Sequence, residues 1–240
     1  MNFSNISIGG GSSKSVINGV SYSGNVSIIN GQVFVNGKPA EASESARGDG
    51  KAAEESRGFS DRFTRVEASG INGLNIECGS SEEKVQLQGE SNILPLIETR
   101  VEDGVLHIGP KEGASFSTNQ PIQVTLFMDN LDNLELSGSV NSQIKGLRSD
   151  RLGLDLSGSS AVKLEGTARR LDLDMSGSSS ASAMGLLVDD VRAEMSGASS
   201  AMVAPKDRLD VDGSGASSVA YQGNPVVNKD LSGAARLRQI

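Results

Sequence analysis

Six Ser-Gly dipeptides divide the second half of this chain into near-equal pieces. They stand at Ser137-Gly138, Ser157-Gly158, Ser176-Gly177, Ser196-Gly197, Ser214-Gly215 and Ser232-Gly233, and successive serines lie 20, 19, 20, 18 and 18 residues apart. So regular a period marks a repeat architecture and constrains the fold more than any single motif does. Counted from each serine, positions −5, −3 and −1 are mostly apolar: Leu152, Leu154 and Leu156 in one copy, Leu171, Leu173 and Met175 in the next. Positions +5 and +7 are apolar or small (Val162 and Leu164, Ala181 and Ala183, Ala201 and Val203, Val219 and Tyr221). Position +9 is Gly146, Gly166, Gly185, Pro205 or Gly223. Each copy reads as strand, Ser-Gly turn, strand and corner, with Gly138, Gly158, Gly177, Gly197, Gly215 and Gly233 as structural turn residues.

Two short strands with alternating apolar residues cannot bury their inward row alone, whereas stacked copies can. Parallel pairing would place rungs about 4.8 Å apart, with like residues in ladders along the axis. The predicted fold is all-β: a right-handed parallel β-helix, or β-solenoid, with rungs of roughly 18–20 residues. A β-sandwich of short strands would not return the same residue types at the same offset. No window from 59 to 240 sustains a capped 3.6-residue apolar stripe, so helices are not expected there. Ser69-Gly70 obeys the same register, with Val66 and Ala68 before it and Leu74 and Ile76 after. The strand-like text between that copy and Ser137 is expected to supply about three further rungs.

The 240 residues include 29 Gly, no Trp and 3% aromatics, so burial must come from many small aliphatic contacts. The net charge of −8 offers no basic field for nucleic acid. Cys78 is the only cysteine, which precludes an intramolecular disulfide and reads as a small buried hydrophobe. No basic segment followed by an apolar one opens the chain, and no apolar run reaches membrane-spanning length. Direct membrane insertion is therefore not expected, and the chain as written reads as cytoplasmic unless another route exports it. Residues 1–38 read as a β-hairpin segment, with Asn30-Gly31 turning between Val26/Ile28 and Val33/Val35. Residues 39–58 are charged and small and read as a flexible linker. The tripeptide Arg47-Gly48-Asp49 in that linker is too common a combination to assign an integrin role. The solenoid is expected over 59–240.

The segment "FTRVEASGINGLNIECGSSEEKVQLQGESNILPLIETRVEDGVLHI", the repeated "LxLSGSS" and the closing "GNPVVNKDLSGAARL" resemble the putative auto-transporter adhesin "head GIN" domain family. The Gly70-Ile71-Asn72 triplet stands near the start of the match, which covers roughly 59–240. The resemblance implies a β-solenoid of largely unassigned function, found mostly in bacteria, with no catalytic residues to carry over. The chain departs from an auto-transporter in showing no membrane-anchoring barrel.

His107 is the only histidine, which removes His-pair metal sites and leaves any Ser-His-Asp triad resting on one strand residue. No HExxH, Walker-type loop or dinucleotide glycine pattern is present. Asp172/Asp174, Asp189/Asp190 and Asp210/Asp212 are paired carboxylates that could in principle hydrolyse sugars, but on a strand they read as a solvated outer face. Position −2 is more ordered than solubility requires: Glu67, then Glu135, Asp155, Asp174, Glu194, Asp212 and Asp230. Like charges stacked at rung spacing repel. They require interleaved counter-charges such as Arg151, Arg169, Arg170, Arg192, Arg208 and Lys229, or else a bound divalent cation or a cationic partner surface. Serines at +2 to +4, such as Ser159-Ser160 and Ser178-Ser179-Ser180, are expected beside this column, mainly satisfying turn backbone.

Together these features predict a non-enzymatic binding or adhesion module presenting an acidic, Ser-rich face, with no catalytic residue, resident metal or cofactor. The candidate ligand column is Glu135, Asp155, Asp174, Glu194, Asp212 and Asp230. A glycan or a protein surface is the expected partner, and an exposed last rung favours homo-oligomers. A passive structural or surface-assembly component is the alternative, and a carbohydrate-active enzyme the least supported reading.

Overall fold

The computed structural model describes residues 45–240 throughout. Within residues 1–44 it describes six short strands: Ile6–Ile8, Lys14–Ile17, Val20–Ser23, Val26–Ile29, Gln32–Val35 and Lys38–Pro39. The first three and the last three form two separate antiparallel sheets. Val26 pairs with Val35 and Ile28 with Val33, the pairing that Asn30-Gly31 predicts. Those two turn residues lie outside the described ones.

From residue 65 onward the chain winds into an all-β solenoid of about five turns. Three long strands, Asn141–Leu156, Ala161–Met175 and Ser180–Met195, each run along most of a rung and lie parallel in register. Each is bent rather than straight. In Asn141–Leu156 the buried residues are Ser142, Ile144, Leu147, Leu152, Leu154 and Leu156, so the two-residue alternation slips at two corners. The pairing shifts at the first of these, between Ile144 and Leu147, where Gly146 takes φ +70°. A bulge there turns the chain and keeps its apolar row inward.

The core is a set of aliphatic ladders. Leu134, Leu154, Leu173, Ala193 and Val211 stack in register, beside Leu136, Leu156, Met175 and Met195. All nine are buried. The strands that follow the Ser-Gly corners make the second sheet of the coil, which contributes Leu74, Val162, Ala181, Ala201 and Val219, also buried, in a row that Ser142 interrupts between Leu74 and Val162. Side chains of one to four carbons suffice because most rest on an apolar side chain above and below, which explains a core with hardly any aromatics.

The Ser-Gly corners stack through the backbone itself. From Gly158 onward the residue after each glycine donates its N–H to the glycine carbonyl one rung back: Ser159 to Gly138 (2.7 Å), Ser178 to Gly158 (2.7 Å), Ala198 to Gly177 (2.8 Å), Ala216 to Gly197 (2.8 Å) and Ala234 to Gly215 (2.7 Å). The glycines hold φ between +68° and +87°. A Cβ on Gly177 would stand 2.5 Å from the Gly158 carbonyl oxygen, so both the backbone conformation and the close stacking demand glycine.

The segment between the first copy and Ser137 departs from the expected three rungs. Arg65–Ser69 pairs directly with Asn133–Ser137, and Gly73–Cys78 with Asn141–Lys145, so copies far apart in sequence are adjacent rungs. The intervening residues supply one further parallel layer, Val105–Pro110 and Gln123–Met128. Antiparallel strands then close the end: Ile97–Glu102 on Val105–Pro110, and Lys84–Glu90 on Gln123–Met128. The cause is a two-residue hairpin at Asp103-Gly104, both with positive φ, which reverses the chain where a corner would have continued the coil.

The expected linker also differs, because it is folded from Ser45 onward. Ser45–Arg47 pairs with Ser115–Ser117, and Ala52–Gly58 pairs antiparallel with Lys84–Glu90. Its charges have partners that composition does not reveal. The Arg57 guanidinium donates to the carbonyls of Ile97 (2.7 Å) and Leu94 (3.1 Å) and pairs with Glu55 at 2.9 Å.

Substituting a stacked corner glycine should cost more than substituting a free turn glycine. Gly113 has φ +72° and nothing near its absent Cβ, so Gly113→Ala carries only the conformational penalty, about 1 kcal/mol and a Tm fall of about 2–4 °C. Gly177→Ala also meets the rung below and is expected to lose about 2–4 kcal/mol, or roughly 5–15 °C in Tm. Equal losses in thermal melts of the two variants would show that corner stacking contributes nothing.

Candidate functional site: the acidic ladder

Strand pairing brings the whole acidic column into one line. Glu67 lies opposite Glu135, Glu135 opposite Asp155, Asp155 opposite Asp174, Asp174 opposite Glu194, Glu194 opposite Asp212 and Asp212 opposite Asp230. From Glu67 to Asp212 each acid alternates with buried neighbours such as Leu134 and Leu136 or Leu173 and Met175, so the column points outward. His107 extends the line by one step, opposite Glu67, and its Nδ1 lies 2.9 Å from Glu67 Oε2. Arg100 follows, opposite His107, engaged by Glu98 and Glu102. The sequence gives no sign that His107 belongs to the column, because the hairpin that places it lies outside the repeat.

The counter-charges occupy neighbouring columns and mostly serve other acids. Asp172 receives both Arg151 (2.7 Å) and Arg170 (2.9 Å), and Asp210 receives Arg208 (3.4 Å) and the Asn228 amide (2.7 Å). Within the ladder, Arg192 reaches Glu194 at 2.6 Å, and Asn133 donates to Asp155 at 3.0 Å. Among the described residues, no ion pair forms at Glu135, Asp155, Asp174, Asp212 or Asp230. Arg169 and Lys229 pair with none of the ladder acids. Burial, followed by repulsion from Asp155 and Glu194, raises the Asp174 carboxyl above its ordinary range. Glu135 is raised by burial and then by Glu67 and Asp155, with His107 opposing.

A groove of about 710 Å³ runs along this face, lined by Asp155, Asp174 and Glu194 of the ladder and by Arg151, Arg170 and Arg192 of the neighbouring columns. Gly153, in register between Asn133 and Asp172, makes room for the Asn133 amide that reaches Asp155, since a Cβ there would stand 2.7 Å from Asn133 Nδ2. The groove can bind charged groups. Asp172, partner of Asp174 in one of the candidate carboxylate pairs, is held by two guanidiniums. No hydroxyl hydrogen-bonds to His107 among the described residues. Nor do three His, Cys, Asp or Glu side chains there converge as a metal site requires. Burial pushes the half-buried Cys78 thiol up to about 12, with Glu77 and Asp129 adding to the shift, which leaves it unreactive.

The turn serines divide by position. Ser160, Ser179, Ser199 and Ser217 are buried inside the corners, and the hydroxyls of Ser160 and Ser199 donate to the carbonyls of Ser157 and Ser196. Ser180, Ser200 and Ser218 face outward on the second sheet.

A family profile described as "Putative auto-transporter adhesin, head GIN domain" matches residues 62–225. The chain belongs to this family. Several solved structures share the head GIN domain's architecture. A putative adhesin from Bacteroides fragilis NCTC 9343 superimposes with a TM-score of 0.66 at 21% identity, covering 81% of this chain and 99% of that one. A putative adhesin from Parabacteroides distasonis ATCC 8503 gives 0.54 at 20% identity, with 82% and 100% covered. At such identities the likeness is one of fold. No curated protein matches the chain.

One buried carboxylate escaped the sequence reading because nothing local marks it. Glu90 accepts hydrogen bonds from Gly50 N (2.7 Å), Asn119 N (2.9 Å) and Thr118 Oγ1 (2.5 Å), and these outweigh burial to hold its carboxyl down at about 2. It clips the Arg47-Gly48-Asp49 loop onto the body of the head GIN domain. Asp49 is itself occupied by Lys51 N (3.0 Å) and Ser91 Oγ (2.8 Å), so the tripeptide is not offered freely to a partner.

Two stability measurements follow from these shifts, with opposite signs. Glu135 and Asp174 have raised folded values, so their ionisation opposes folding; the fold is favoured below the ordinary carboxylate pKa and loses that advantage as pH rises. Glu135→Gln and Asp174→Asn should each raise Tm at pH 7 by about 1–3 °C, for up to about 1 kcal/mol, with the gain fading below about pH 4. Glu90 is depressed, so its contribution is complete above about pH 4.5 and fades towards about pH 2. Glu90→Gln should therefore lower Tm at pH 7, and the gap to wild type should shrink as pH falls through that window.

Proposed function

We propose that this chain is a non-enzymatic, adhesion-type binding module that engages a cationic surface through its acidic ladder. The observation that carries the reading is the in-register run Glu135, Asp155 and Asp174, none of which has a cation within ion-pair distance among the described residues. Stacked like charges oppose folding, and a solenoid face could be made soluble with scattered charges instead. A line of carboxylates at constant spacing on a rigid sheet meets a basic protein surface without rearrangement, and its field speeds the encounter. Membership of a family described as putative adhesins and the fold shared with proteins of that description support an adhesive role. The occupied Asp172, and a His107 that pairs with Glu67 and with no hydroxyl among the described residues, argue against hydrolysis.

Binding of the full chain to a polylysine-coated sensor tests this. The expected result is salt-sensitive binding that falls roughly tenfold or more in the triple variant Glu135→Gln/Asp155→Asn/Asp174→Asn, whose Tm rises. Equal binding by wild type and triple variant would overturn the proposal. A wild type that ignores the sensor while self-assembling in solution would point instead to a passive structural component.

A further inference from the structure

The second sheet carries a different feature on its outer side. Ser180, Ser200, Ser218 and Arg236 follow one another in register, and beside them run Ser182, Met202, Ala220 and Arg238. The short side chains leave a trough of about 550 Å³ with the two arginines at one end. At the other end Lys163, in register with Ser182, is tied to Glu165 at 2.7 Å. Arg236 and Arg238 lie two apart on one strand and so face the same side. Among the described residues, neither forms an ion pair or a side-chain hydrogen bond. In a chain with 30 acidic residues, two adjacent guanidiniums without acid partners are conspicuous.

We propose that this trough binds an acidic polysaccharide, with Arg236 and Arg238 receiving its carboxylates and the serine column its hydroxyls. A guanidinium fork matches a carboxylate with two parallel hydrogen bonds. Ser180, Ser200 and Ser218 both donate and accept, as sugar hydroxyls do, and the exposed Met202 gives a sugar ring an apolar contact. The backbone favours a saccharide over an acidic peptide. Its N–H groups are spent along the axis, Ser200 to Ser179 O, Ser218 to Ser199 O and Arg236 to Ser217 O, each at 3.0 Å. A peptide laid on this face would find no backbone partners for its own amides and could not add to the sheet as a strand. The inference deepens the adhesive reading but uses neither the ladder nor its cationic probe.

The test is binding of the full chain to immobilised polygalacturonate, with dextran and polyglutamate as controls. Wild type should bind polygalacturonate and neither control. Arg236→Gln/Arg238→Gln should weaken binding roughly tenfold or more, and Ser200→Glu, which sets a negative charge on the exposed trough floor, should do likewise with Tm unchanged. No binding by wild type, or unchanged binding in both variants, overturns the proposal. So does equal binding to dextran, and equal binding to polyglutamate would assign the trough to acidic peptides. Because the polylysine and polygalacturonate measurements use separate ligands, either reading can fail while the other stands.

Discussion

The repeating part of this solenoid depends on the backbone hydrogen bond that each Ser-Gly corner from Ser157-Gly158 onward makes to the corner one rung back. The glycines approach so closely that no side chain fits between them, which fixes rung upon rung at that edge with no freedom to slide. In-register stacking then propagates into both sheets. A leucine can only lie on the residue at the same offset in the next copy, and the same holds for an aspartate.

That constraint has opposite consequences on the two sides of the wall. Inward, it turns weak residues into a continuous core, since alanines such as Ala181 and Ala201 pack against copies of themselves. Outward, it forces Glu135, Asp155 and Asp174 together whether or not they attract. The chain supplies arginines, but Arg151 and Arg170 converge on Asp172 in the adjacent column and leave the centre of the ladder without them. The carboxyls of Glu135 and Asp174 are raised first by burial and then by this repulsion, which the corners and the aliphatic ladders must overcome. The serine face shows the complementary case, in which small neutral residues stack without conflict and two guanidiniums stand apart from any acid.

The repeating half of the fold is legible in the sequence because period, turn chemistry and alternation all agree there. The acidic column could be named from the sequence for the same reason. Its termination at His107 could not, because that strand reaches the stack through a hairpin, although Asp103-Gly104 is a strong local signal for such a turn. The polar segment before residue 59 has the composition of a linker, yet Arg57 and the Glu90 clip hold it with hydrogen bonds to residues some 40 positions away. Pairings of that kind leave no trace in local composition.

The excursion between the first two stacked copies bears on how such a protein can change over time. Glu67 and Glu135 are 68 residues apart in sequence yet adjacent across the sheet, whereas Asp155 and Asp174 are separated by a single repeat. Closing the longer loop costs only about 1 kcal/mol more in chain entropy, because that penalty grows with the logarithm of length. A solenoid of this kind is therefore permissive between rungs and strict within them. It can accept an inserted segment as large as a small domain at a corner where the chain leaves and re-enters on the same row, while one extra residue within a rung is tolerated only where a corner bulge, as at Gly146, takes it up.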